Sequence, residues 1–299
     1  MDIISKEMVR QYLPQRISTS HKGTYGRVGV ICGSEEMPGA ARLVIRAAYK
    51  TGAGLVCAFA GRSFAPYLKN DIPEAIIKIV SETPQGTFTS ELTRENSADI
   101  DLCNTIVFGC GIGQNSELQQ LAGELLLLQN KRMIIDADAL NLLQGRGLIL
   151  SQLRHCDVVI TPHIKEMARL TGKDVSYILD HAEKTALDFA VNNQVVVVLK
   201  YHQTVVASPG GDIFINQTGN SALSKAGTGD VLSGMIAGFA AQNHDLWASS
   251  ICAVYLHGLA AGFASGRMTE YAVSASDVID HIPDAIGSVL NGFKSKGDE

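Results

Sequence analysis

Two neighbouring segments hold the residue types best suited to chemistry. Asn216-Gln217-Thr218-Gly219-Asn220 leads into Lys225-Ala226-Gly227-Thr228-Gly229-Asp230-Val231-Leu232-Ser233-Gly234. Small and turn-forming residues stand here against one acid and the start of an apolar stretch. Val231, Leu232, Met235, Ile236, Phe239 and Ala240 recur at helical spacing, which predicts a helix beginning near Thr228 or Gly229. A helix start presents unpaired N–H groups and a positive dipole end, a setting for phosphate or a developing oxyanion. Glycines let such backbone come close to a ligand. A carboxylate in a plain anion cradle would repel phosphate. It makes sense if Asp230 takes a proton from a hydroxyl while the Gly227, Thr228 and Gly229 amides hold a phosphoryl group. The plainer reading, a capping acid beside a glycine turn, has to be weighed against the rest of the chain.

The elements that would position these residues alternate. An N-terminal helix stops before Pro14, and Arg27 to Cys32 reads as a buried strand. Pro38-Gly39 opens a helix with Ala40, Ala41, Leu43, Val44, Ala47 and Ala48 on its inner side, and Gly52 and Gly54 end it. Further strands are predicted at Leu55 to Ala60, Thr105 to Phe108, Met133 to Asp136, Val158 to Thr161 and Val195 to Leu199. Helices are predicted over Glu117 to Asn130 and Tyr177 to Asn192. Thr204 to Ala207 and Ile213 to Asn216 form a hairpin through Pro209-Gly210-Gly211, and Trp247 to Ala264 is the longest late helix. This rhythm predicts an α/β fold, a mostly parallel sheet with helices on both faces. With no linker and no repeat, residues 1–299 read as one domain.

In such sheets the ligand crevice lies beyond the carboxyl ends of the strands. Polar or glycine-rich residues follow five of the predicted strands: Gly33-Ser34, Gly109-Cys110-Gly111-Ile112-Gly113, Asp136-Ala137-Asp138, Thr161-Pro162-His163 and Lys200-Tyr201-His202-Gln203-Thr204. The Gly109 to Gly113 stretch is neither a P-loop nor a dinucleotide fingerprint, and a tight turn explains it equally well. Asp138 could cap the short helix holding Leu140, Leu142 and Leu143. Glu166 could hold Mg²⁺ through water, or complement a helix dipole. Lys200 suits phosphate as a point charge, or protects a solvated hairpin edge. The Lys22-Gly23-Thr24-Tyr25-Gly26 loop is a candidate lid.

Bulk properties narrow the classes. The 299 residues are 46% hydrophobic, enough for a large core. The formal net charge of -5 without a basic cluster argues against nucleic acid and anionic membrane as partners. Charges in Met1 to Glu7 interrupt any signal-peptide core, and strongly apolar runs such as Leu125 to Leu128 are too short to span a bilayer. The six cysteines, Cys32, Cys57, Cys103, Cys110, Cys156 and Cys252, form no C-x-x-C pair and read as buried free thiols. A soluble cytoplasmic protein is expected.

Taken in order, these segments resemble the ADP/ATP-dependent NAD(P)H-hydrate dehydratases, the carboxy-terminal half of the bifunctional nicotinamide nucleotide repair proteins. The marks are His21 to Gly26, Pro38-Gly39-Ala40-Ala41 with Thr51 to Gly54, Asp136-Ala137-Asp138-Ala139-Leu140-Asn141, Thr161-Pro162-His163 with Glu166, and Gly219-Asn220 with Gly227-Thr228-Gly229-Asp230. The resemblance implies a ribokinase-like fold and a substrate that is hydrated NADH or NADPH (NADHX or NADPHX). ADP or ATP, with Mg²⁺, would phosphorylate the ring hydroxyl, and elimination of phosphate would restore the dinucleotide. By motif position Ala40, Gly113, His163 and Asp230 would contact the hydrated dinucleotide. Lys200, Tyr201, His202, Gln203 and Thr204 with Gly229 would hold the adenine nucleotide. The resemblance also implies a homo-oligomer, as a tetramer, and a separate NAD(P)HX epimerase in the same pathway, since the chain leaves no room for one.

Three features depart from the family pattern: Cys110 in place of proline, Lys165 before Glu166, and Ser221-Ala222-Leu223-Ser224-Lys225-Ala226 in place of Pro-Gly-Met-Ala-Thr-Gly. A rival is a small-alcohol kinase of the same superfamily, of the hydroxymethylpyrimidine or thiazole type, which would stop at the phosphorylated product. Thr161-Pro162-His163 and the Pro38 helix favour the dehydratase. A non-catalytic nucleotide-binding regulator would gain nothing from the carboxylate of Asp230.

Overall fold

The computed structural model describes residues 2–143, 157–242 and 245–291. Ten strands form one sheet: β1 (Asp2–Ile3), β2 (Arg27–Ile31), β3 (Leu55–Gly61), β4 (Ile76–Val80), β5 (Thr105–Phe108), β6 (Arg132–Ile135), β7 (Asp157–Ile160), β8 (Val196–Leu199), β9 (Val205–Ala207) and β10 (Ile213–Ile215). Their order is β1-β10-β9-β8-β7-β6-β5-β2-β3-β4. From β4 to β8 all neighbours run parallel, while β9 is antiparallel to both β8 and β10. The central strands are rich in Val and Ile because both of their faces are covered.

One face carries the helices Lys6–Tyr12, Pro38–Lys50, Ala65–Asp71, Thr228–Ala241, Leu246–Met268 and Ala275–Asn291. The other carries Ser116–Leu126, Asp138–Leu142, Ile164–Thr171, Val175–Asp180 and Ala182–Asn193. The α/β reading holds, with differences at particular elements. The helix expected over Tyr177 to Asn192 is two helices that break at His181, and the one expected to reach Asn130 ends at Leu126. Strands β1 and β4 lie at the two sheet edges, where one face or side meets water and the apolar pattern fades.

Two further expectations need correction. The Lys22–Tyr25 turn is no lid over Asp230. A Cβ on Gly26 would run into the Ala241 carbonyl, at the far end of the helix whose first turn holds Asp230, about 17 Å away at 1.5 Å per residue. The Leu246–Met268 helix is also long and apolar enough to cross a membrane by length and composition, although 72% of its most apolar stretch is buried within this fold. Its apolar character follows from packing between the Thr228 and Ala275 helices. Cys32, Cys57, Cys103, Cys110 and Cys252 are buried free thiols, and Cys156 lies outside the described residues.

The site depends on how closely two helices cross. Gly234 and Gly238 lie four residues apart on one face of the Thr228–Ala241 helix, against the backbone of the Pro38–Lys50 helix. A Cβ at Gly234 would strike the Val44 carbonyl, and one at Gly238 would lie 2.6 Å from the Ala48 carbonyl. Both helices therefore lie nearly in backbone contact on the β2 and β5 side of the sheet. Gly238→Ala is expected to lower the unfolding free energy by about 1–3 kcal/mol, the usual cost of overpacking. A urea midpoint unchanged from the wild type would show that the crossing tolerates a methyl group.

Candidate active site

The chain progresses from β2 outward to β4, then returns to place β5 on the other side of β2. This reversal opens the crevice of a doubly wound sheet between the exits of β2 and β5. The exits are tied together there: the Gly33 N–H donates to the Cys110 carbonyl at 2.7 Å. Gly109, with φ +124°, packs so closely on the β6 exit that a Cβ would lie 2.5 Å from that of Ala139.

At the β6 exit, Asp136 is almost wholly buried, at 1% exposure. Ala137 follows with φ +52°, a conformation unfavourable for a residue with a Cβ. That turn separates the two acids. Asp138 Oδ2 accepts the Gly113 N–H at 2.9 Å, so Asp138 tethers the β5 exit instead of capping its own helix, whose cap position is Ala137. Asp136 Oδ1 accepts from Lys200 Nζ at 2.7 Å and from the Ala137 N–H at 2.8 Å, and Oδ2 accepts from Ser233 Oγ at 2.8 Å. Lys200 is held from behind by its own N–H, which donates to the Pro162 carbonyl at 2.8 Å. One carboxylate thus joins the exits of β6 and β8 to the Thr228 helix.

That helix starts over this ion pair. Gly227 occupies the cap position in the left-handed region, φ +87°, with no side-chain cap. Thr228 closes the preceding loop: its hydroxyl donates to the Leu223 and Lys225 carbonyls at 2.8 and 2.9 Å, and its N–H points to the Lys225 carbonyl at 3.4 Å. Among the described residues, the Gly229 and Asp230 amides meet no acceptor. A Cβ on Gly229 would lie 3.2 Å from Lys200 Nζ. Two free amides, a helix dipole and an ammonium therefore face one small volume, which suits a phosphoryl group.

Asp230 sits in the first helical turn beside this volume, half-buried. A carboxylate oxygen of Asp230, one of Asp136 and the Cys110 sulfur lie within 4.8 Å of one another. Burial first, and then the negative charge of Asp136, push the Asp230 carboxyl up to about 7. Asp136 goes the other way. Burial would raise it, but the Lys200 ammonium outweighs burial and holds it below the usual carboxylate range. Lys200 likewise stays cationic despite burial, because Asp136 and then Glu166 face it. The two acids differ in role: one fixed as an anion by its partner, the other poised to exchange a proton near neutrality.

The β7 exit supplies His163 and Glu166 as a reciprocal cap on the Ile164–Thr171 helix. The Glu166 N–H donates to His163 Nδ1 at 3.0 Å, and the His163 N–H donates to Glu166 Oε2 at 2.8 Å. Burial and the nearby Lys200 charge lower the His163 pKa, and burial raises that of Glu166. Ala40 lies in the first turn of the Pro38 helix, where a Cβ on Gly111 would approach its own to 2.8 Å. Tyr201, His202, Gln203 and Thr204 form the turn between β8 and β9, one step outward from Lys200, with the Tyr201 and His202 rings 4.7 Å apart.

The structure therefore gathers Asp230, Gly229, Lys200, His163 and Glu166 around one polar core. Ala40 and Gly113 line the β2/β5 side of the crevice. Sequence reasoning noted Asp136 but left it out of the site, and it missed Ser233 and His257. Ser233 falls three residues after Asp230 on the same helical face, a usable signal. His257, pushed down to about 4 by burial, stands behind Thr228 in a uniformly apolar helix that gave none.

A family model described as NAD(P)H-hydrate dehydratase matches residues 28–284. The bifunctional NAD(P)H-hydrate repair enzyme of Moorella thermoacetica is 35% identical over 284 residues, 94% of this chain and 53% of that protein. The chain thus spans about half the length of that relative. The ADP-dependent (S)-NAD(P)H-hydrate dehydratase of Bacillus subtilis is 34% identical, covering 93% of this chain and 95% of that one. The crystal structure of the Bacillus subtilis ADP/ATP-dependent NAD(P)H-hydrate dehydratase, co-crystallized with ATP/Mg²⁺, superposes with TM-score 0.83 at 32% identity, over 96% of this chain and 98% of that one. A hydroxyethylthiazole kinase from Pyrococcus horikoshii gives TM-score 0.62 at 15% identity over 96% of this chain and 95% of its own, a likeness of fold alone.

The ion pair is open to a direct test. Asp136→Ala leaves the half-buried Lys200 ammonium without its partner and is expected to cost about 1–3 kcal/mol of stability. Denaturant unfolding at pH 7 measures it, and a loss below 1 kcal/mol would mean that Lys200 finds other acceptors.

Proposed function

The chain belongs to the NAD(P)H-hydrate dehydratase family, and from that premise we propose that it restores hydrated NADH or NADPH in a reaction driven by ADP or ATP. The observation that carries this reading is the placement of the Asp230 carboxyl, pushed up to about 7 by burial and by Asp136, beside the free amides of Gly229 and Asp230. The hydrated nicotinamide ring would lie in the β2/β5 crevice, along Ala40, Gly113 and His163. The nucleotide would extend from the helix start over Lys200 toward Tyr201, His202, Gln203 and Thr204.

Asp230 accepts the proton of the ring hydroxyl as its oxygen bonds to the terminal phosphorus. The phosphoanhydride bond breaks, leaving AMP from ADP or ADP from ATP. Lys200 and the two amides neutralise the charge on the moving phosphoryl oxygens. The ring C–O bond then breaks with loss of inorganic phosphate and a proton from the adjacent carbon, which restores the double bond. Phosphorylation makes this possible by turning hydroxide, a poor leaving group, into phosphate. The kinase alternative rests on fold alone.

Mg²⁺ fits this site in one manner. Glu166 is the carboxylate that would hold it through water, its Oε2 accepting from the His163 N–H and its Oε1 lying 3.4 Å from His163 Nε2. Such an ion would neutralise the nucleotide phosphates. The same reading takes residues 1–299 as one catalytic domain of a cytoplasmic homo-oligomer. An NAD(P)HX epimerase acting in the same pathway belongs to this reading, in line with the bifunctional relative.

The decisive assay mixes purified protein, hydrated NADH, Mg²⁺ and ADP or ATP, and follows recovery of reduced nicotinamide absorbance. No recovery with either nucleotide, alongside phosphorylation of a thiazole or pyrimidine alcohol, would favour the kinase. Asp230→Asn is expected to keep nucleotide binding and lose about 10²–10⁴-fold in turnover, the range for a general base. A base must be ionised to act, so kcat/KM should rise with pH through about 7 and fall about tenfold from its plateau by pH 6. A profile flat from pH 5.5 to 8.5 would remove Asp230 from that role.

A further inference from the structure

The crevice contains one group for which the phosphoryl chemistry above has no use. Cys110 is wholly buried at the β5 exit, between two glycines in positive-φ conformations, Gly109 (+124°) and Gly111 (+66°). Its carbonyl is fixed by the Gly33 N–H, so its side chain has a defined direction. That direction is toward the acids: Sγ donates a long hydrogen bond of 4.0 Å to Asp136 Oδ2 and lies within 4.8 Å of an Asp230 carboxylate oxygen. Asp136 Oδ2 also accepts the much shorter bond from Ser233, whereas among the described residues the Asp230 carboxylate accepts from no side chain at hydrogen-bond distance.

We propose that Cys110 is a positioning residue for the proposed dehydration, its thiol turning from Asp136 to donate a hydrogen bond to the Asp230 carboxylate once that acid is ionised, which keeps the base charged and aimed into the crevice. The inference rests on the reading of Asp230 as the base. All groups facing the pair bear on it. Asp136 from β6 and Asp138 from the following helix disfavour a second negative charge. Lys200 from β8 favours it, and Cys32 from β2 contacts the thiol from behind. His163 and Glu166 from the β7 exit and His257 from the Leu246 helix act one step away, through Lys200. Lys200 is engaged with Asp136, so the thiol is the direct donor left to offset burial at Asp230.

The contact with Cys32, burial, and the two carboxylates hold the Cys110 thiol well above its ordinary range. It therefore remains a protonated donor while Asp230 titrates. A proline at this position would have no S–H to offer, and the base would keep its charge less readily.

The test compares Cys110→Ala, Cys110→Val, which refills the volume without a donor, and Cys110→Ser, which restores one. The Asp230 carboxyl is titrated directly by carbon NMR of aspartate-labelled protein, its resonance assigned by its loss in Asp230→Asn. Removing a donor to the charged form raises a carboxyl pKa, so Ala and Val should move the midpoint up by about half to one pH unit, and Ser should return it. In the dehydration assay the same two variants should lose about three- to tenfold in kcat/KM at pH 6 and converge with wild type by pH 9. An unmoved midpoint in both Ala and Val, or a loss equal at every pH, overturns the inference. A wild-type protein that does not turn over the hydrate would sink the proposed function, and the titration would still decide the role of Cys110.

Discussion

The ion pair between the buried Asp136 and the half-buried Lys200 is the constraint on which the rest of the site depends. Neither charge could be buried alone without a penalty of several kcal/mol. Together, with Ser233 and the Ala137 amide completing the hydrogen bonds of the carboxylate, they form a satisfied polar centre at the top of an apolar sheet. The pair has two electrostatic consequences. Its positive end lies under Gly229 and favours an anion there. Its negative end faces Asp230 and, with burial, holds that carboxyl near neutrality. One interaction thereby prepares both an acceptor for phosphate and a base.

Backbone devices put these groups within reach. The positive φ of Ala137 sends the acids on either side of it in different directions, one to Lys200 and one to Gly113. The crossing of the Pro38 and Thr228 helices at Gly234 and Gly238 brings the helix start down onto the strand ends. A wider crossing would lift the Gly229 and Asp230 amides away from Lys200, and the cradle would lose its cation. Packing on the far side of the sheet carries less chemistry: its helices fix His163 and Glu166 by mutual capping.

Much of the scaffold was legible because both-face burial forces simple patterns. Uninterrupted runs such as Val196-Val197-Val198-Leu199, separated by helical periods, admit little besides a parallel sheet. Edge strands were the failure, since Ile76 to Val80 lies half in water and includes Lys78. The Lys22–Tyr25 turn misled for another reason. A glycine-rich loop looks the same at either end of a sheet, and only the contact between Gly26 and Ala241 shows that it lies at the wrong end.

For the site itself, the sequence determined the local chemistry: a helix start with glycines, an acid in its first turn, and polar residues after successive strands. These follow from nearest-neighbour geometry, which any chain carrying Gly227-Thr228-Gly229-Asp230 must obey. The sequence could not decide which acid is fixed as an anion and which one titrates. Asp136, Lys200 and Asp230 are separated by 64 and 30 residues, and their ionisation depends on burial and on distances of a few ångströms. Those quantities exist only once β6, β8 and the Thr228 helix are packed together, because Coulomb interactions and desolvation act through space and not along the chain.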